Sequence, residues 1–84
     1  MDIFNDVILV VSFDSVITET QALEILKNVG SKLQIVRSET GIFEPTKNRI
    51  RVVTVLIPPD WSSPVQHVLE DRQDVIGVRR IGQN

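Results

Sequence analysis

Residues 6–13 are a short, nearly continuous apolar run rich in valine and isoleucine, which predicts a buried strand. Residues 14–17 read as a loop, after which Thr18 opens a helix. Its hydroxyl can cap free amides, and Gln21 follows at capping-box spacing. Leu23, Leu26, Val29 and Leu33 recur at helical spacing, flanked by Ala22 and Ile25, and Gly30 is placed to end the helix in a left-handed conformation. A second strand is predicted from Leu33 through Ile35 and Arg37, with a bulge or bend at Thr40 and Gly41. Residues 44–48, with a proline and an asparagine, predict a turn. Residues 49–57 are the clearest strand, β-branched and stopped by Pro58 and Pro59. A second helix opens over residues 60–64; Ser63 with Gln66 has capping-box spacing, and Asp60 with Ser63 is a competing start. Trp61, Val65, Val68 and Leu69 make its apolar face. It frays through residues 71–74, and residues 75–81 are the last strand, followed by a tail of Gly82, Gln83 and Asn84.

The order strand, helix, strand, strand, helix, strand is that of two split strand–helix–strand units. With right-handed crossovers they make one α+β domain over residues 1–84, a ferredoxin-like βαββαβ sandwich. Both helices then cover one face of a four-stranded antiparallel sheet whose first and third strands are central. The other face should alternate to polar residues if it meets water. The central strands do not alternate. Val7, Leu9, Val11 and Phe13 make one face of the first strand, and Ile8 and Val10 the other. Val53, Val55 and Ile57 make one face of the third, and Ile50, Val52 and Leu56 the other, with Thr54 the only polar interruption. Ile81 is placed to join that second face from an edge strand. Such a sheet must cover its second side or expose an apolar patch. The long second hairpin and the tail can cover part of it; a partner, another copy or a different protein, can cover the rest.

Composition narrows the function. The 84 residues carry nine Lys and Arg against eleven Asp and Glu, a net charge of −2. A domain of this size buries about two-thirds of its unfolded surface, which leaves no room for a core plus a deep substrate cavity. There is no cysteine, hence no disulfide, thiol nucleophile or zinc knuckle. No apolar run reaches the roughly 18–20 residues of a membrane span. The first residues lack a basic segment and carry two acids, unlike a signal peptide, so a cytoplasmic soluble module is expected, without membrane partners. Nucleic acid is not expected as a partner either. The basic residues are interleaved with Glu39, Glu44, Glu70, Asp71 and Asp74, and neither central strand carries an aromatic at its middle for base stacking.

Catalytic constellations are also missing. His67 is the single histidine and falls one residue off the apolar face of the second helix. Ser62 and Ser63 have no Gly-x-Ser-x-Gly setting and suit helix capping. The four glycines are isolated, so no phosphate loop exists, and the acids at 70, 71 and 74 suit a solvated helix end. Arg79 and Arg80 are adjacent in a strand and point to opposite faces, one free to pair with an acid and the other exposed. The expectation is a non-enzyme with no cofactor and no metal.

The chain resembles the subtilisin propeptide-like inhibitor family. The stretches that carry the resemblance are Val7-Ile8-Leu9-Val10-Val11-Ser12-Phe13, Gly30-Ser31-Lys32-Leu33-Gln34-Ile35-Val36, Val53-Thr54-Val55-Leu56-Ile57-Pro58 with the helix after it, and Asp74-Val75-Ile76-Gly77-Val78. It departs from the family where Arg79 and Arg80 replace acids after the last Val-x-x-Val, and its second hairpin is longer. The resemblance implies a protease inhibitor or folding chaperone. Its open sheet face would dock on a subtilisin-like protease, and its C-terminal tail would lie in the cleft as an added strand. The chain is also similar to the ACT regulatory domain in element order and in Val75-Ile76-Gly77-Val78-Arg79-Arg80-Ile81, although Asp14-Ser15-Val16-Ile17 lacks the glycine of that domain's first turn. That likeness implies a regulatory or structural module that self-associates through the sheet. The partner-binding residues are expected among Ile8, Val10, Val52, Thr54, Leu56, Ile81, Gly82, Gln83 and Asn84, the tail residues 81–84 being those that the propeptide-like resemblance would place in the cleft.

Overall fold

Seven residues, Val7–Phe13, form β1 of the computed structural model, which describes residues 6–83; Asn84 lies outside the described residues. The chain continues through α1 (Glu19–Val29), β2 (Gln34–Phe43), β3 (Asn48–Ile57), α2 (Pro59–Glu70) and β4 (Val75–Gln83). The strands pair antiparallel in the order β2-β3-β1-β4. This is the ferredoxin-like α+β arrangement, with β1 and β3 central.

Strand periodicity decides which residues make the core. Val7, Leu9, Val11 and Phe13 of β1 and Val53, Val55 and Ile57 of β3 are inaccessible, and they cluster with Ala22 and Leu26 of α1 and Val65 and Leu69 of α2. Both helices therefore cover the same side of the sheet. Val75 of β4 closes the cluster at one edge.

The first helix starts as its sequence dictates. Gln21 N donates to Thr18 Oγ1 at 3.2 Å, and Thr18 N donates to Gln21 Oε1 at 3.0 Å, so the capping box is complete. Its end differs from expectation. Gly30 is extended (φ −165°) rather than left-handed, and the helix closes with Gly30 N donating to Leu26 O. The bulge in β2 also lies elsewhere. The extra residue is Val36, between Ile35 and Arg37, while Gly41 pairs regularly with Ile50. The glycine serves packing instead: a Cβ at Gly41 would meet Val52 Cγ2 at 3.3 Å.

The second helix begins at Pro59, four residues before Ser63, and no side chain caps it. Two prolines preset the backbone dihedral, and a proline at the first helical position has no amide to leave unpaired. This early start makes Pro64 an interior residue and leaves Ser63 without a capping role. The buried face is Ser62, Val65 and Leu69, and Trp61 and Val68, expected on it, are about half exposed. Ser62 Oγ is satisfied by donating to Pro59 O at 2.9 Å and accepting from Arg80 Nη2 at 3.1 Å. After α2, the Arg72 guanidinium holds Asp74 through two hydrogen bonds of 2.9 and 3.0 Å.

Leu26→Ala removes a buried side chain from the centre of the cluster and is expected to cost about 3 kcal/mol in urea unfolding, within the range for core truncations. The Arg72 hydrogen bond lowers the Asp74 carboxyl below its ordinary value. A lowered folded value stabilises the protein above the unfolded value of about 3.9, and that gain is lost as pH falls through the folded value. Acid titration of unfolding should therefore show Asp74→Asn missing a few tenths of a kcal/mol above pH 4 and converging on the parent chain in stronger acid.

Candidate docking face of the sheet

The residues of β1 and β3 that alternate with the core set point away from the helices. Their strand pairings assemble them into rows across the sheet. Gln34, Leu56, Ile8 and Gly82 make one row; Arg37, Thr54, Val10 and Arg79 the next; Glu39, Val52, Ser12 and Gly77 the third. Within these rows Ile8, Val10, Val52, Thr54 and Leu56 lie together in the middle of the face, all only partly buried. The structure thus brings together five of the residues expected to bind a partner. The strip is apolar except for Thr54 and Ser12. Neither helix reaches it, since both are committed to the opposite side.

The remaining expected residues are placed differently. Ile81 is the extra residue of a β4 bulge, between Arg80 opposite Leu9 and Gly82 opposite Ile8, so it has no partner row on β1. It is 55% exposed. Gly82 and Gln83 pair with Ile8 and Val7, and β4 therefore runs two residues beyond the predicted end of the last strand. The backbone expected as a free tail is part of the ladder.

Ile50 belongs to the open face by its pairing with Gly41, yet it is only 7% exposed. It sits where the β2–β3 hairpin runs past the end of β1, and lines a cavity of about 130 Å³ with Phe43, Ile76, Asp14 and Ser15. The hairpin and the β1–α1 loop thus close one end of the face and leave the strip of rows open. Phe43 and Ile76 escape sequence reasoning as members of this end. Phe43 stands at the mouth of a turn, and Ile76 is the extra residue of a second β4 bulge.

Charged side chains rim the strip. Arg37 and Glu39 are exposed on β2, two residues apart on the same face, and Arg79 is exposed on β4. Among the described residues none of the three belongs to an ion pair. Arg80 behaves as the opposite-facing neighbour should, but its partners are not acids: it donates to Ser62 Oγ and to Gln66 Oε1, tying β4 to α2. His67 is exposed on α2. Among the described residues no three His, Cys, Asp or Glu side chains converge on a cation-sized site, and no helix is long and apolar enough to cross a membrane.

No family model, curated protein or solved structure matches the chain.

The two faces of the sheet should respond oppositely to the same substitution. Val10→Glu and Val52→Glu place a carboxylate on the open face and are expected to retain the parent circular dichroism and a cooperative melt. Val11→Glu and Val53→Glu place it in the core, where an unpaired charge is intolerable, and are expected to abolish the cooperative melt.

Proposed function

We propose that this chain is a non-enzymatic protein-binding module that docks on another protein surface with its open sheet face. The observation that carries the reading is the strip formed by Ile8, Val10, Val52 and Leu56, apolar and partly exposed on the side away from α1 and α2. An apolar strip with a charged rim has the anatomy of a recognition surface: the centre supplies affinity and the rim orientation. Two kinds of partner fit it. The propeptide-like resemblance points to a subtilisin-like protease, with the chain acting as inhibitor or folding chaperone. The ACT-like resemblance points to a second copy.

The geometry bears unequally on these two. A tail lying in a protease cleft must be clear of the sheet, and Gly82 and Gln83 are paired with Ile8 and Val7 of β1. Insertion would require these two residues to leave the sheet first. Docking through the face alone requires nothing to unpair, and that is the part of the reading the geometry favours.

Two assays run side by side test the proposal: inhibition of a panel of subtilisin-like proteases, and sedimentation of the chain alone over a concentration series. Association is expected in at least one. Val52→Glu should weaken it tenfold or more, since the new charge would be buried without a partner. Val68→Glu, on the outer side of α2, should leave it unchanged. Docking through the face alone predicts that removal of residues 82–84 leaves association in place, whereas loss of protease inhibition on that removal would show that the tail enters the cleft. A folded Val52→Glu chain that associates as the parent does in both assays would overturn the proposal.

A further inference from the structure

The β2–β3 hairpin overruns β1. The last residue of β1, Phe13, pairs with Arg51, while Ile50 and Arg49 continue beyond it, paired only with Gly41 and Ile42 of β2. The chain after β1 turns through residues 14–18 into α1, and a cleft of about 180 Å³ lies between this loop and the hairpin. Ser15 and Ile17 line it from the loop, and Thr40, Arg49, Ile50 and Arg51 from the hairpin. Arg49 and Arg51 alternate with Ile50 and Val52, so they share the helix side of β3 with Val53, away from the docking strip. Both guanidinium groups are incompletely paired. Among the described residues Arg49 belongs to no ion pair. Arg51 Nη1 donates to Ser38 Oγ at 3.4 Å and lies 3.8 Å from a Glu19 carboxylate oxygen, and the buried Arg51 Nε–H has no acceptor. An unmet buried N–H is costly, so these long contacts hold the side chain weakly, and an acceptor in the adjoining cleft gains by drawing it over.

We propose that this cleft binds a phosphate monoester of a small molecule, its phosphoryl group held between Arg49 and Arg51 and its organic part lying against Ile17 and Ile50. The inference stands apart from the docking reading and uses none of its residues. Two residues apart on one side of a strand, the arginines start roughly 7 Å from each other, close enough for both to reach a group between them. A carboxylate has two oxygens in one plane and is filled by a single guanidinium fork, whereas a phosphoryl group has three outer oxygens for two arginines and the Thr40 hydroxyl to share. The Ser15 hydroxyl is given to Asp14 at 3.2 Å and is not needed. Binding turns Arg51 out of its contacts with Ser38 and Glu19 and gives its Nε–H an acceptor. Glu19, among the described residues the one carboxylate in contact with either arginine, opposes the ligand. A polymeric phosphate backbone is a poorer fit, because Lys47, further along the hairpin, is paired with Glu44 and no basic track continues from the cleft. Exposed charge pairs are each worth little, so the dissociation constant is expected at about 1 mM.

NMR titration of the whole chain at constant ionic strength tests this, with phenyl phosphate, inorganic phosphate and acetate as probes. Phenyl phosphate is expected to move the side-chain Nε–H signals of Arg49 and Arg51 and the amide of Thr40 along one saturating curve. Inorganic phosphate should follow the same path more weakly, and acetate should bind at least roughly tenfold more weakly than phenyl phosphate. Arg49→Gln, at an exposed position that the fold does not need, should weaken phenyl phosphate roughly fivefold. Glu19→Gln removes the opposing carboxylate and should tighten it about twofold. Arg37→Gln, on the other face of the sheet, should leave it unchanged. Binding indifferent to Arg49→Gln, or shifts of equal size at Arg37, Arg72 and Arg79, would overturn the site. Acetate binding as tightly as phenyl phosphate would overturn the phosphoryl group as the recognised chemistry. A short single-stranded oligonucleotide binding about a hundredfold more tightly than phenyl phosphate through Arg49 would overturn the small-molecule ligand.

Discussion

Everything in this small sheet follows from central strands that are apolar on both faces. A strand has only two sides, and the helices of a βαββαβ chain cover one. Val7, Leu9, Val11 and Phe13, with Val53, Val55 and Ile57, are used up in the core against α1 and α2. Ile8, Val10, Val52 and Leu56 are surplus to that core. Among the described residues, the β2–β3 hairpin and the β1–α1 loop close only the end of the face around Ile50. The surplus is where a functional reading has to start.

The polar residues around the strip agree with an association directed through the face rather than the edges. Bulges break up β4 and β2, and exposed charges stand on both outer strands. Such features blunt the edge pairing by which sheets otherwise grow. Arg80 contributes from the other side of β4. By donating to Ser62 and Gln66 of α2, it anchors an edge strand that is paired with a neighbour on one side only. The rim is thereby held in place without a residue being drawn from the open face.

Much of this was legible in the sequence, because period-two alternation in β1 and β3 assigns each side chain to a face once the strand order is known. Thr18 and Gln21 announced the first helix through a local hydrogen-bonding pattern that tertiary packing did not disturb. The second helix was harder to place. Pro58 and Pro59 start it earlier than its serines suggest, and the packing of the helix on the sheet, which periodicity alone does not fix, puts Ser62 rather than Trp61 in the buried face. Bulge positions were not legible either. Val36, Ile76 and Ile81 carry no glycine-like signature, and their irregularity arises from registers set by neighbouring strands. The continuation of β4 through Gln83 likewise depends on pairing with β1, which composition alone does not announce. The rim charges were visible as residues, but Arg37, Glu39 and Arg79 become one constellation only through cross-strand pairing.

We propose that the strip on the open face is where this chain meets a second protein surface, with a second copy of the chain as the partner. Methyl-selective NMR of the intact chain, recorded over a dilution series, tests it residue by residue. The account predicts that the methyl signals of Ile8, Val10, Val52 and Leu56 move together with concentration along one binding curve, while those of Leu9, Val53 and Val55 in the core stay nearly fixed. Concentration-dependent shifts confined to Val68 and its surroundings on the outer side of α2, or no concentration dependence at all, would contradict it.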